Sequence, residues 1–204
     1  MKALHKPNLF SWSVFDEERN VDFHSVLWVS SRGNVAIDPL ELSDHDRRHV
    51  ESLGGVQHIV LTNSDHKRAA ADLAKSTGAR VFGPALEMDA LGALGATPVK
   101  DGEEPIPGLK ALELHGSKTP GELALIIESH TLLVGDLVRG QRGGRLNLLP
   151  NAKLADRTQA LASLRRLAQL SGIEAVLVGD GWPVFHGGHH ALHALLIELE
   201  GPVS

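Results

Sequence analysis

The sequence predicts a single α/β domain in which short strands alternate with amphipathic helices. Apolar residues make up 42% of the 204 residues and charged residues 22%, which is the composition of an ordinary globular protein. A chain of this length can bury one large core, and no linker, charge block or low-complexity tract divides it. We therefore expect one domain that spans residues 1–204.

The first half of the chain contains the pattern of an antiparallel strand unit followed by a β-α-β crossover. Ser43 is a suitable N-cap for a helix that Gly54 and Gly55 end. A second helical pattern of small residues ends at Gly78. The predicted strands are residues 9–14, 25–30, 34–38, 58–62 and 80–82, and the predicted helices are residues 43–53 and 64–76.

The second half is rich in strands and ends in two helices. Leucines recur at helical spacing between Leu161 and Leu170, and an apolar strand follows them. Two strand-rich halves with crossover helices favour two sheets packed face to face, with helices outside. The predicted strands are residues 109–114, 123–128, 131–134 and 175–178, and the predicted helices are residues 155–170 and 189–199.

Composition and motifs exclude several classes of function. A formal net charge of −5 provides no basic field for nucleic acid or anionic lipid. The absence of cysteine removes thiolate chemistry and fits a reducing compartment. Because no signal peptide and no apolar run of roughly 18 residues is present, we expect a cytoplasmic protein without a membrane partner. No nucleophile elbow, phosphate-binding loop or dinucleotide fingerprint occurs.

Three sequence motifs each lie in the loop that follows a predicted strand. The first is Leu61-Thr62 followed by Asn63-Ser64-Asp65-His66-Lys67-Arg68, a helix of small residues and Gly78-Ala79. The second is Ser117-Lys118-Thr119-Pro120-Gly121, before a strand pair that ends in Gly135-Asp136. The third is the turn Gly179-Asp180-Gly181.

In their order these motifs resemble those of the metallo-β-lactamase superfamily, over most of the chain from Val26 onward. The family has His-x-His-x-Asp-His, Gly-His-Thr-Pro-Gly and Gly-His-Gly at the three places. The resemblance implies a single-domain αββα four-layer sandwich and hydrolase chemistry at two zinc ions. Thr119, Pro120, Gly121 and Asp136 match the family's second signature, and the third motif keeps its two glycines, Gly179 and Gly181. The combination is similar to a divergent branch without a defined activity.

The substitutions change the chemistry that the resemblance implies. Asn63, Asp65, Lys67 and Arg68 stand at the positions of the first ligand motif, and Lys118 and Asp180 replace histidines. Ammonium and guanidinium groups cannot donate to zinc. We therefore expect side-chain cations to replace the metals, with Arg and Lys paired to the remaining carboxylates.

One alternative remains open, a relocated site for a single divalent ion. His66, His115, Asp136 and Asp180 offer imidazole and carboxylate donors that suit Zn²⁺, Mn²⁺ or Fe²⁺. No other cofactor is expected. Taken alone, His66 and His115 fit structural roles better than ligation, His66 as a histidine at a helix N-terminus that is hydrogen-bonded to loop backbone.

Two further segments carry side chains that could bind a metal or an anion. His186, His189, His190 and His193 fall four residues apart in pairs, a spacing that can share a metal on a helix. Because Gly187 and Gly188 interrupt the run and no Glu lies between the histidines, a surface or interface helix start is the preferred explanation. Arg139, Arg142 and Arg145 flank a glycine-rich turn that could bind phosphate or carboxylate or be a solvated loop.

Two functions are consistent with these residues. The first is a hydrolase of a small ester, thioester or lactone, in which Lys118 and Arg68 stabilise an oxyanion and Asp136 or Asp180 handles the proton. Asn63, Asp65, Lys67 and Arg142 would then contact substrate. The second is a non-catalytic protein that binds a small anionic ligand or a protein partner. Homodimerisation is left open.

Overall fold

A computed structural model describes residues 1–201 of the chain. The chain folds as two compact units, Met1–Val99 and a second that begins at Lys100. The prediction of one domain over residues 1–204 stays a prediction. Within residues 1–201, no helix combines the length and apolar character that a membrane crossing requires.

The first unit is built on a seven-stranded sheet whose strands follow one another in chain order. The first four strands pair antiparallel and the last four pair parallel, so the fourth belongs to both sets. The strands are β1 (Lys2–Ala3), β2 (Leu9–Asp16), β3 (Val21–Trp28), β4 (Val35–Ile37), β5 (His58–Val60), β6 (Arg80–Pro84) and β7 (Thr97–Val99).

The helices of the first unit connect its parallel strands and cover a core of aliphatic side chains. Leu27, Ile59 and Leu61 in this core are fully buried. Ser43 caps α1 by accepting a hydrogen bond from the Asp46 amide, as the sequence predicts. The helices are α1 (Asp44–Ser52), α2 (Ala70–Thr77) and α3 (Met88–Leu91), with 3-10 turns at Ser64–Lys67, Ala85–Glu87 and Gly92–Leu94.

The predicted helix over residues 64–76 is wrong at its start. The structure has a 3-10 turn over Ser64–Lys67, and α2 begins only at Ala70. Arg68 between them has a φ of 39°, a left-handed conformation that no helix residue adopts. The periodicity of small residues therefore belongs to α2 alone.

The second unit combines a four-stranded sheet, a separate hairpin and two helices. Strands β8 (Leu109–Leu114), β9 (Glu122–Ile127), β10 (Thr131–Val134) and β13 (Ala175–Val178) lie in the order β13-β10-β9-β8. The hairpin consists of β11 (Val138–Arg142) and β12 (Arg145–Leu148), and the helices are α4 (Arg157–Ala168) and α5 (Gly188–Glu200), with a 3-10 turn at Asn151–Lys153.

The four strands predicted for the second half are confirmed within one residue at each end. The leucine stripe of α4 packs into the core of this unit, where Leu164 and Leu167 are fully buried beside Val176 and Leu192. The sequence pattern missed β11 and β12 because glycine and arginine dominate there. It also missed the short edge strands β1 and β7.

Candidate functional site

The loop that carries Lys118 lies between β8 and β9 and is held against the start of α4. Gly116 has a φ of 80°, and a Cβ at this position would come within 2.2 Å of the Asp156 carbonyl oxygen. Only glycine permits this approach. The Ser117 carbonyl accepts a hydrogen bond from the Ala155 amide at 3.0 Å, so the backbone that directly precedes Lys118 is fixed.

Glu122 is a buried carboxylate that organises two loops of the second unit. Its Oε2 accepts a hydrogen bond from the Ser117 hydroxyl at 2.7 Å. Its Oε1 accepts from the Asp136 amide at 2.9 Å and from the Leu137 amide at 3.0 Å. Glu122 is fully buried, so these hydrogen bonds are screened from water. It thereby joins the Lys118 loop to the turn after β10.

Asp136, Asp180, Lys118 and Arg139 form a continuous network of ion pairs, which we call the ion network. Asp136 Oδ2 lies 3.0 Å from Lys118 Nζ, and Asp136 Oδ1 lies 2.6 Å from Arg139 Nη2. Arg139 Nη1 lies 2.9 Å from Asp180 Oδ2. The Asp136 and Asp180 side chains are only 2% and 4% exposed. Two cations therefore balance two buried carboxylates.

The turn after β13 holds Asp180 against the strand that carries Arg139. The Asp180 carbonyl accepts from the Gly140 amide at 3.1 Å, and the Gly140 carbonyl accepts from the Trp182 amide at 2.6 Å. Gly181 has a φ of 86°, and a Cβ there would lie 2.3 Å from the Gly140 carbonyl oxygen. Glycines on both sides permit this close backbone contact.

In the first unit, Asn63 is a capping residue. It is fully buried, and its Oδ1 accepts from the amides of Asp65 and His66 at 3.0 and 3.1 Å. Asp65 and Lys67 in the same turn are exposed. Lys67 Nζ lies 3.5 Å from the Ala90 carbonyl oxygen. These three residues were predicted to contact substrate, and the structure gives Asn63 a local role in forming the turn.

Asp38, Thr62 and His66 form a buried polar cluster beside this turn. Asp38 Oδ1 accepts from the Thr62 amide at 2.8 Å, and Oδ2 accepts from the Thr62 hydroxyl at 2.6 Å. His66 Nδ1 lies 2.8 Å from Asp38 Oδ2 and 3.1 Å from the Thr62 hydroxyl. All three side chains are less than a tenth exposed. His66 is thus a core histidine of the first unit.

Arg68 differs from the expectation that it would fork onto a carboxylate. Its Nη1 donates to the carbonyl oxygens of His24 and Asp38, at 2.6 and 3.0 Å. Its guanidinium carbon also lies 5.7 Å from the centre of the Phe23 ring. Arg68 therefore ties β3 and the end of β4 to the start of α2. Its φ of 39° and the φ of 47° at Asp38 place two strained residues together.

His115 and Arg142 lie on exposed surfaces of the second unit. His115 Nε2 is 3.2 Å from Glu113 Oε1, and its side chain is 47% exposed. Arg142 is exposed at the tip of the hairpin, where it lines a cleft of about 240 Å³ with Arg145 and Glu198. The segment predicted as either an anion site or a solvated loop is therefore an ordered hairpin.

Three of the positions at which the resemblance places metal ligands carry cationic side chains. Lys67, Arg68 and Lys118 offer no lone pair to a metal. Both carboxylate oxygens of Asp136 already face cations at 2.6 and 3.0 Å. The alternative single-metal set draws His66 from the first unit and His115, Asp136 and Asp180 from the second, and it stays a prediction.

Two organising residues of the second unit had weak signals in the sequence. Glu122 directly follows the Thr119-Pro120-Gly121 motif, and Arg139 lies three residues after Asp136. Two patterns could have identified them. Glu122 is a carboxylate at the start of an apolar strand, and Arg139 is a guanidinium group three residues after an aspartate. The sequence pattern instead placed Arg139 beside a glycine-rich turn that was expected either to bind an anion or to be a solvated loop.

Comparisons with known proteins agree with the fold. A family model described as the metallo-beta-lactamase superfamily matches residues 1–199, and a search of curated proteins finds no match. Similar solved structures come from Thermus thermophilus, Pontibacter korlensis and Sulfolobus tokodaii.

The Thermus structure, a metallo-beta-lactamase family protein, has a TM-score of 0.68 at 19% identity, covering 96% of this chain and 79% of its own. The Pontibacter metallo-beta-lactamase has a TM-score of 0.69 at 16% identity, covering 94% of this chain and 95% of its own. The Sulfolobus structure, an archaeal metallo-beta-lactamase superfamily protein, has a TM-score of 0.72 at 16% identity, covering 94% of this chain and 86% of its own. Identities this low show the fold alone. Because the family model spans nearly the whole sequence, the chain belongs to the metallo-beta-lactamase superfamily.

Proposed function

We propose that this chain has exchanged two-zinc hydrolysis for the binding of a small anionic molecule at the Lys118 end of the ion network. Superfamily membership suggests a hydrolase-like function at the coarsest level. The observation that supports the proposal is the pairing of both Asp136 oxygens with the cations of Lys118 and Arg139.

The ion network is better suited to structure than to proton transfer. A general base needs a carboxylate oxygen within reach of the proton that it removes. In the ion network, ammonium and guanidinium groups already take the near positions at Asp136, and Arg139 also engages Asp180. Breaking these pairs during a reaction would leave buried charges uncompensated, which is costly.

The chemistry of the ligand follows from the cation at the entrance to the ion network. Lys118 has a side chain that is 30% exposed, whereas the Arg139 side chain is 11% exposed. An ammonium group binds a carboxylate or phosphate as a point charge with several donors. Arg142 and Arg145 add further cationic surface in the hairpin. We therefore assign the ligand to small carboxylates or phosphates.

Thermal unfolding with a panel of phosphate, acetate and succinate tests the binding proposal. We expect one class of anion to raise the melting temperature saturably, because a ligand of the folded state stabilises it by mass action. Lys118→Ala should abolish this shift, whereas Lys110→Ala, a change at an exposed lysine on β8, should preserve it. Equal shifts in both variants, or none in the unmodified chain, would overturn the proposal.

Hydrolysis of a small ester, thioester or lactone is the second candidate, and superfamily membership favours it. In that reaction Lys118 and Arg68 would stabilise the oxyanion, and Asp136 or Asp180 would handle the proton. The test is a panel of small esters, thioesters and lactones. If the chain hydrolyses one of them and Asp136→Asn abolishes this activity, hydrolysis is established and the binding proposal is wrong. Absence of turnover with retained anion binding would support binding.

A further inference from the structure

Three histidines lie on the first two turns of α5, outside the ion network. The ring centres of His189 and His193 are 4.4 Å apart, and those of His189 and His190 are 6.0 Å apart. Residues four apart on a helix project from the same face, one turn above each other. His193 is exposed and His189 is half-buried. Two imidazoles are thus held side by side at an accessible surface.

The hydrogen bond of His189 fixes which of its ring nitrogens can accept. Its Nδ1 lies 2.9 Å from the Leu170 carbonyl oxygen. A carbonyl oxygen only accepts, so Nδ1 carries the proton and donates it. The lone pair of the neutral ring is then on Nε2. Histidines that bind metals commonly have this arrangement, in which the second ring nitrogen donates to a backbone carbonyl.

We infer that His189 and His193 form a surface site for a borderline transition-metal ion, with water completing its coordination. Imidazole nitrogen suits Cu²⁺, Ni²⁺ and Zn²⁺, whereas Mg²⁺ and Ca²⁺ require oxygen ligands. Cu²⁺ should bind most tightly, because affinities for nitrogen sites rise along the series to copper. The positive end of the helix dipole opposes a cation here, so the site should have modest affinity.

The inference does not depend on the proposed function. Its two ligands are not members of the ion network, and the site would bind metal whether or not Lys118 binds an anion. The competing explanation is purely structural: His189 satisfies the Leu170 carbonyl, and His193 only packs against it. That explanation predicts no specific metal binding, so the two accounts differ in a direct measurement.

The experiment is a Cu²⁺ titration of the full chain without a polyhistidine tag, followed by calorimetry and electron paramagnetic resonance. We expect one ion of modest affinity, bound at one per chain, whose spectrum shows two imidazole nitrogens. His193→Ala should weaken binding by about tenfold or more, because a direct ligand matters at least as much as its outer-shell partner. The control is His45→Ala, at an exposed histidine of α1.

A second variant separates metal binding from folding. His189→Gln keeps an N–H group that can donate to Leu170 but removes the imidazole, and its melting temperature reports whether the helix remains intact. Loss of Cu²⁺ binding in a folded His189→Gln variant supports the site. Binding in His193→Ala equal to that of the unmodified chain, or loss of binding only in His190→Ala, overturns it.

Discussion

At the scale of single residues, Arg139 is the side chain on which the ion network depends. Its guanidinium contacts Asp136 Oδ1 and Asp180 Oδ2, at 2.6 and 2.9 Å. A planar group with five donors can serve two carboxylates at once, which an ammonium group does less well. Arg139, which the sequence did not predict among the cations of the ion network, therefore pairs with both Asp136 and Asp180.

Arg139→Ala should destabilise the protein by about 3 kcal/mol, because it leaves two buried carboxylates with reduced compensation. Arg139→Lys should have a smaller effect, since it restores charge but not the fork. Denaturant unfolding measures both. Arg142→Ala is the matched control on the same strand, exposed at the hairpin tip, and should change stability by less than about 0.5 kcal/mol. Similar losses at both positions would contradict this role for Arg139.

At the scale of elements, the backbone contact between β11 and the turn after β13 positions Asp180. A Cβ on Gly140 would lie 1.9 Å from the Trp182 carbonyl oxygen, and the neighbouring atoms are also backbone. Backbone on both sides leaves nothing that can rotate away. The contact is therefore intolerant of any side chain at residue 140.

Gly140→Ala should displace the turn and lower the melting temperature strongly, because overpacking against backbone costs more than about 1–3 kcal/mol. Gly143→Ala is the control in the same hairpin: a Cβ there has nothing within 4 Å. We expect it to be neutral or slightly stabilising. Thermal melts compare the melting temperatures of the two variants with that of the unmodified chain. If Gly140→Ala melts at the same temperature as the unmodified chain, the backbone contact at Gly140 does not fix the turn.

Helix α4 begins with a titratable cap. Hydrogen bonds from the Gln159 backbone amide, the Gln159 side chain and the Thr158 amide hold the pKa of Asp156 below its ordinary value of 3.8. A carboxyl whose pKa is lower in the folded state stabilises the fold above its unfolded pKa and loses this contribution as the pH falls. The same helix start supports the loop of Lys118, through Gly116.

The melting temperature of the unmodified chain should exceed that of Asp156→Asn at about pH 7, and the gap should close towards about pH 3. Asparagine still caps the helix but carries no charge. Asp156→Ala should melt lower than both at about pH 7, because it removes the cap. A gap between the unmodified chain and Asp156→Asn that does not change with pH would mean that the charge contributes nothing.

At the scale of the whole molecule, the fold class was predictable because it depends on periodicity and turn residues. Apolar strands such as Thr131–Val134 and Ala175–Val178 and the leucine stripe of α4 define their elements locally. The break at Arg68, which has a φ of 39°, was not predictable, because the Arg68 side chain donates to carbonyl oxygens of His24 and Asp38, which are distant in sequence. The hairpin of β11 and β12 was hidden by its composition.

For the candidate site, the sequence predicted that cationic side chains face carboxylates, but it did not predict which cation pairs with which carboxylate. Motif positions identified Lys118, Asp136 and Asp180, and the expectation that cations face carboxylates holds for Lys118 with Asp136. It does not hold for Arg68, whose hydrogen bonds go to carbonyl oxygens. Which cation meets which carboxylate depends on loop geometry, such as the contact of Gly140 with the turn after β13, and a sequence motif does not encode that geometry.

Zinc calorimetry on the tag-free chain and its Asp136→Asn and His193→Ala variants tests most directly whether the ion network replaces the metal centre. Because Lys118 and Arg139 pair with both carboxylate oxygens of Asp136, zinc binding in the unmodified chain should be unaffected by Asp136→Asn. Any weak binding should disappear only in His193→Ala. Stoichiometric zinc that His193→Ala retains and Asp136→Asn loses would contradict the account.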